Sequence, residues 1–284
     1  MKSLFVIILL CLSLTAWAVR PLGTDTLKVT RLINRTTSFG VGYTNVYDTY
    51  LSPQEYKGID FRFSRESMRM TNLLGGHTSL QNFFQADLGY THNRAENNNT
   101  LSSLFNWNLG LHYQFHITDN FKLLAGALAD MNLGFVYNMR NGNNPVSARA
   151  YANIDASGMA IWHLHVKNYP LILRYQLNIP LVGGMFSPEY GESYYEIFVE
   201  GNGHNVVHFT SLHNNPSLRQ ILSVDLPLGS VKLRLSYIGD FQQSKLSGID
   251  THTYSHVFMV GVSKDLYRIH PKEMLQLPNA VRAY

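Results

Sequence analysis

Two short stretches combine a histidine with a residue that it could activate. Ser211 and His213 stand two residues apart in "HFTSLHNNP", so an extended chain would place both side chains on one face. A histidine that accepts the serine proton makes the hydroxyl oxygen a nucleophile, and a third group must orient the ring. Asn214, Asp240 or Asp250 could supply that group. These residues predict a hydrolytic site as one hypothesis.

The second stretch, "IDTHTYSH", holds Asp250 and His252, again two residues apart. This pair resembles the Asp-x-His element of the omptin proteases, which is accompanied there by a second acidic pair. The sequence contains no Asp-x-Asp to complete that pattern, and Asp48, Asp60 and Asp240 are only loose substitutes. The resemblance implies a protease as a second enzymatic hypothesis.

The chain also carries 12 histidines, and some of them share a strand face. His112 and His116 form one such pair, and His163 and His165 form another. Imidazole nitrogens from neighbouring strands can bind a divalent metal ion. Histidine in a polar interior is more often satisfied by hydrogen bonds than by a metal, however. We therefore expect no metal and no cofactor.

The elements that carry these residues show a strict alternation. In "FNWNLGLHYQFHI", from Phe105 to Ile117, one face is apolar and aromatic and the other is polar. Nine further segments repeat this period of two, which indicates strands and excludes helices. Several segments exceed the five or six residues of an ordinary strand and reach the ~9–11 that cross a bilayer. The apolar face therefore meets either lipid or, in the alternative, a second sheet of a soluble secreted protein.

Connections between the segments favour lipid. Short turns follow the even segments and longer loops follow the odd ones, as in outer-membrane barrels. We predict an all-β chain that forms a transmembrane antiparallel up-and-down β-barrel of ten strands. Twelve strands would result if "YYEIFVE" and "NVVHFTSLH" pair across the wall. We prefer an extracellular hairpin for these two stretches, since seven residues are too few to cross at a tilt.

The polar face of the strands collects charges of both signs. A ten-strand barrel is narrow, and unpaired charges inside it would be costly. We therefore predict a sealed lumen held by paired side chains, with a narrow selective channel as the alternative. The predicted lumen network consists of Asp60, Arg62, Asp130, Arg149, Asp155, Arg174, Arg219, Asp225, Arg234 and Asp240.

The chain ends define the compartment. Residues 1–18 have a positive start, an apolar core and Ala16-Trp17-Ala18, which together predict a cleaved signal peptide. Residues 19–35 would be a periplasmic segment, residues 36–266 the outer-membrane barrel and residues 267–284 a periplasmic tail. The single cysteine, Cys11, lies in the signal, so the mature chain has no thiol chemistry. The predicted location is the outer membrane of a Gram-negative bacterium.

Composition limits the classes of partner that the protein can be expected to bind. A net charge of +4 without a basic block argues against nucleic-acid binding. The expected partners are outer-membrane lipids and lipopolysaccharide, the barrel-insertion machinery and an extracellular ligand. A binding or structural role is favoured over an enzymatic one.

Four stretches resemble a Bacteroidota outer-membrane β-barrel family of unknown function. They are "YTNVYDTYLSPQEYKG", "HFTSLHNN", "SVDLPLG" and "HVFMVGVSKDLY". The resemblance implies the barrel fold and no activity. The Asp250 and His252 pair resembles one element of the omptin proteases and lacks the other. Ser211 and His213 reverse the His-x-Ser order of outer-membrane phospholipases and lipid A deacylases.

Overall fold

The computed structural model describes residues 32–167, 169–201, 203 and 205–267, and within them it is almost entirely β-structure. Eleven strands are formed in these ranges, together with a one-turn helix and a 3-10 turn at Leu73–Gly76. The strands are β1 Leu32–Asp48, β2 Ser52–Met70, β3 Thr78–Asn93, β4 Asn99–Thr118, β5 Phe121–Asn138, β6 Val146–Val166, β7 Tyr169–Phe186, β8 Val207–Ser211, β9 Leu218–Leu228, β10 Val231–Leu246 and β11 Ile249–Tyr267; the helix, α1, is Tyr194–Phe198.

The sheet closes on itself. From β1 to β8 and from β9 to β11, each strand pairs antiparallel with the next strand in sequence, and β1 pairs with β11. Strands β8 and β9 both pair with β7, one above the other, so they share one position in the wall. The described residues therefore form ten wall positions. The predicted all-β, antiparallel up-and-down barrel of ten strands is confirmed.

The two stretches that raised the twelve-strand alternative fold differently from the prediction. Within "YYEIFVE", Tyr194–Phe198 forms helix α1, because Ser193 and Glu196 make a capping box at its start. In the second stretch, Val207–Ser211 pairs with β7 instead of with the first. The predicted extracellular hairpin is therefore wrong.

The connections are shorter than predicted at one end of the barrel. We call this end, opposite to the start of β1 and the end of β11, the loop end. There Thr49–Leu51 joins β1 to β2, and Ser247 and Gly248 join β10 to β11. Both residues of the second turn have positive φ, 51° and 76°, as a two-residue hairpin requires. β1, β2, β10 and β11 continue as strands through polar sequence that lacks alternation. The long connections predicted between β1 and β2 and between β10 and β11 are therefore wrong.

The barrel also begins before residue 36. Leu32 to Arg35 already pair with Tyr267 to Lys264, and Asn34 donates a hydrogen bond to Asp265 at 2.7 Å. Ladder hydrogen bonds thus extend the first strand into the segment assigned to the periplasm. The predicted signal peptide and the tail beyond Tyr267 lie outside the described residues.

The outer wall carries an exposed apolar band. On β2, Ile59 and Phe61 are 51% and 56% exposed, and Phe63 follows on the same face. Lys57 and Arg65, both exposed, bound this band above and below. The ring of Phe39 on β1 packs against the ring of Phe63, with 5.1 Å between the ring centroids. No helix among the described residues is long and apolar enough to cross a bilayer.

Candidate functional site

One layer of ions crosses the lumen between β2, β7 and β10. Glu66 accepts hydrogen bonds from Arg174 at 2.5 and 2.9 Å and from Arg234 at 2.6 Å. Gln81 donates a further one at 2.6 Å, and Arg234 also holds Asp225 with two bonds of 2.5 and 2.7 Å. All five side chains are buried. Glu66 on β2 therefore binds side chains from β7 and β10, which are not neighbours of β2 in the wall.

A second layer lies nearer the loop end. Arg62 donates to Asp60 at 2.7 Å and, across the lumen, to Asp240 at 3.1 Å. Arg219 lies 3.2 Å from Asp240 and 3.8 Å from Asp130. The guanidinium groups thus bridge β2, β5, β9 and β10.

Apolar side chains fill the lumen between and beyond the ion layers. One cluster consists of Phe83, Ile221, Ile238, Val257 and Met259, and another of Met68, Leu124, Met159, Ile161 and Ile172. They stand on the inward face, where the sequence pattern predicts polar residues. The lumen therefore contains apolar clusters as well as the two ion layers.

Nine of the ten residues of the predicted lumen network are buried, and Arg149 is half-buried. Arg149 pairs with Asp48 at 2.9 Å near the loop end, and one oxygen of Asp155 has no hydrogen-bond partner among the described residues. A cavity of about 60 Å³ remains beside Arg62 and Asp240, enough for a few water molecules. Glu66, which the alternation of β2 places on the same inward face as Asp60 and Arg62, joins this network through Arg174 and Arg234.

The structure brings Ser211 and His213 together. The serine Oγ lies 2.5 Å from Nδ1 of the imidazole. Ser211 pairs with Val182 on the outward face of the wall, and His213 is exposed in the turn that follows. Ser211 and His213 can therefore act as a nucleophile and its general base.

No third group orients the ring among the described residues. Asn214 accepts a hydrogen bond from the Ser211 backbone at 2.9 Å and donates to the Phe209 carbonyl at 2.9 Å, so it serves the turn. Asp240 is buried in the lumen, and Asp250 pairs with Lys245 at 3.2 Å. The arrangement is a serine–histidine dyad.

Asp250 and His252 face outward from β11 because they alternate with the inward residues of that strand. The His252 ring stacks 5.2 Å from that of Tyr47 and 4.4 Å from that of Tyr254. Asp48, Asp60 and Asp240 point into the lumen, on the other side of the wall. The structure therefore does not assemble the acidic set that the protease hypothesis requires.

The side chains of His112 and His116 do not meet. His112 is buried, and its Nε2 lies 2.9 Å from the Ser157 hydroxyl, whereas His116 is exposed. Within the described ranges, no three His, Cys, Asp or Glu side chains are placed to hold a metal ion.

The fold and the filled lumen define a class, the closed up-and-down β-barrel of the outer-membrane type. Within that class, the chain belongs to the family "Protein of unknown function (DUF3316)", whose model matches residues 4–273. No curated protein matches it.

Solved structures with a similar fold come from several bacteria. The transport unit of the autotransporter AIDA-I from Escherichia coli has 8% identity and a TM-score of 0.48, over 89% of this chain and 94% of that one. The translocator domain of the autotransporter NalP from Neisseria meningitidis has 12% identity and a TM-score of 0.38, over 94% and 96%. The outer membrane protease OmpT from Escherichia coli has 8% identity and a TM-score of 0.39, over 86% and 100%.

Proposed function

We propose that the protein is an integral outer-membrane barrel of a Gram-negative bacterium that does not conduct ions and that works through its loop end and outer wall. The observation that carries the proposal is the pair of ion layers that cross the lumen. Glu66 is bound from two strands at once, and Arg62 reaches Asp240 on the far side. Apolar clusters block the space between the layers.

The apolar band supports the membrane location. Lys57 and Arg65 are eight residues apart on β2, which is about 26 Å along a strand at ~3.3 Å per residue and about 20 Å in height at the ~35–45° tilt of barrel strands. Outer-membrane barrels expose an apolar belt about 25 Å tall. A soluble protein rarely leaves so much contiguous apolar surface in water.

The cellular location and the partners are proposed from the sequence. Residues 1–18 would be removed as a signal peptide, and an even number of wall positions puts both ends of the barrel on the same side of the membrane. Export through the periplasm favours the periplasmic side for both ends. The loop end would then face the outside of the cell, where it meets an extracellular ligand. Lipids, lipopolysaccharide and the insertion machinery remain the proposed partners, and the resemblance of "HFTSLHNN" and "HVFMVGVSKDLY" supports a source in the Bacteroidota.

A sealed lumen should conduct no ions across a bilayer. Purified barrel in a planar bilayer should add no steady current above the lipid leak, while a general porin under the same conditions conducts. The shift in gel migration on heating confirms that a folded barrel was added. A steady current from such a preparation would overturn the sealed lumen and make a narrow selective channel the leading function.

A second candidate function is lipid hydrolysis by the Ser211–His213 dyad. The contact of 2.5 Å between Oγ and Nδ1 favours it, because a serine needs such a partner to lose its proton. The dyad faces outward, where a membrane lipid could approach. Without a third group among the described residues, such a site would work as a dyad and not as a triad.

The lipid-hydrolase reading predicts that Ser211→Ala and His213→Ala abolish release of fatty acid from phospholipid or lipopolysaccharide, measured by mass spectrometry. Loss of a nucleophile in such a site costs roughly 10²-fold or more in rate. Ser247→Ala is a matched control, since the Ser247 hydroxyl lies 2.9 Å from a ring nitrogen of His208 at the same end. Equal turnover by all three variants, or none by the parent protein, would remove this candidate.

A further inference from the structure

The connection between β7 and β8 builds a rigid surface on the loop end. We call residues 187–201 the loop-end platform. Its centre is α1, where Ser193 Oγ accepts a hydrogen bond from the Glu196 backbone at 3.3 Å and Glu196 accepts one from the Ser193 backbone at 2.7 Å. Ile197, only 5% exposed, anchors the helix from below. The helix therefore keeps its shape although it is one turn long.

Neighbouring strands hold the platform in place. Tyr50 donates a hydrogen bond to the Glu192 carbonyl at 2.9 Å, and the Tyr194 hydroxyl accepts one from the Ala148 backbone at 2.7 Å. The Tyr194 ring stacks 6.2 Å from the ring of Phe186 on β7. Burial raises the pKa of Tyr50 to about 12, so its hydroxyl keeps the proton that it donates. A surface that is already ordered loses little entropy when it binds.

The outer side of the platform is strongly apolar. Tyr190, Tyr195, Phe198 and Val199 are 69%, 61%, 70% and 66% exposed. Exposed side chains of this size within one short segment mark an interaction surface. Tyrosine and phenylalanine are also enriched at protein interfaces, and their faces attract cations, above all arginine.

The same segment is acidic. It contains Glu189, Glu192, Glu196 and Glu200 and no lysine or arginine. Among the described residues, none of these four carboxylates forms an ion pair. The backbone N–H and the hydroxyl of Ser193 lower the pKa of Glu196, so its negative charge persists in mildly acidic medium. The charge is therefore available to a partner.

We propose that the loop-end platform binds a segment of another protein that is rich in arginine and apolar side chains. The carboxylates complement its positive charge, and the aromatic rings receive both its apolar groups and its guanidinium planes. An anionic lipid surface would instead be repelled by four glutamates. The proposal rests on the proposed orientation, with the loop end outside the cell.

The test uses the full-length folded protein in detergent and a synthetic peptide of alternating arginine and leucine, with a glutamate and leucine peptide for comparison. Calorimetry or fluorescence anisotropy gives the affinity. The double variant Glu189→Gln/Glu200→Gln should bind the arginine peptide about fivefold more weakly, since each exposed ion pair contributes a factor of a few. Tyr195→Ser should weaken binding by a similar factor, because an exposed aromatic anchor is lost.

The matched control removes the same charge elsewhere on the loop end, in Glu55→Gln/Glu96→Gln, and should leave the affinity within about twofold. Heat-shifted gel migration checks that every variant is folded. No binding by the parent protein, an equal loss in platform and control variants, or tighter binding to anionic vesicles than to the peptide would overturn the proposal. Binding to purified protein but not to intact cells would overturn the proposed orientation instead.

Discussion

Replacing Glu66 by alanine is expected to lower the free energy of unfolding by about 3–5 kcal/mol. Glu66 accepts hydrogen bonds from Arg174, Arg234 and Gln81 inside the lumen. Removal of the carboxylate takes the ion-pair partner from the buried Arg174 and leaves Arg234 with Asp225. Denaturant titration of the barrel refolded into phospholipid bilayers measures the change. Glu66→Gln, which keeps the volume and part of the hydrogen bonding, should fall between the parent protein and Glu66→Ala.

Glu55→Ala is the control, because Glu55 lies on the same strand and pairs with Lys57 at 2.8 Å in an exposed position. An exposed pair contributes only about 0–1 kcal/mol. If Glu66→Ala were as mild as Glu55→Ala, the lumen would be hydrated well enough to solvate Arg174 and Arg234. The proposed occlusion of the lumen, and with it the proposed absence of conductance, would then be untenable.

Replacing Val260 by arginine is expected to destabilise the barrel by about 2–4 kcal/mol in a bilayer, because a charge on the lipid-facing wall near the midplane loses its hydration. Val260 is 57% exposed, and it lies opposite Phe39 within the apolar band. The same substitution at an exposed site of a water-soluble protein usually changes stability by at most ~0.5 kcal/mol. The measurement therefore separates lipid from water at this face.

His92→Arg is the matched control. His92 is exposed on the outward face of β3 and pairs with Lys57, outside the apolar band. It should be nearly neutral, because a charge at this height stays in water. A neutral Val260→Arg would show that the outer wall does not face lipid. Heat-shifted gel migration of both variants confirms that closed barrels are being compared.

The sequence by itself determined the architecture, because the signal is local. Phe105 to Ile117 alternates apolar and polar residues, and a strand turns that period directly into two faces. The inward direction of Asp60 and Arg62 follows from the same period. Alternation failed at Phe83 and Met259, which are apolar residues on the inward face. It also failed at the loop end, where the strands run on through polar sequence.

Only the tertiary structure decided which groups meet. Glu66 and Arg174 are 108 positions apart in sequence, and their contact depends on the circumference of the barrel and on the register of β2 and β7. The sequence predicted that Ser211 and His213 would be close, since two residues of separation suffice for that. Alternation predicted that Asp240 lies in the lumen, but it did not predict that the dyad lies on the outer side of the wall, away from Asp240. Local periodicity determines which face of a strand a side chain lies on. Closure of the barrel determines which side chains lie opposite it across the lumen.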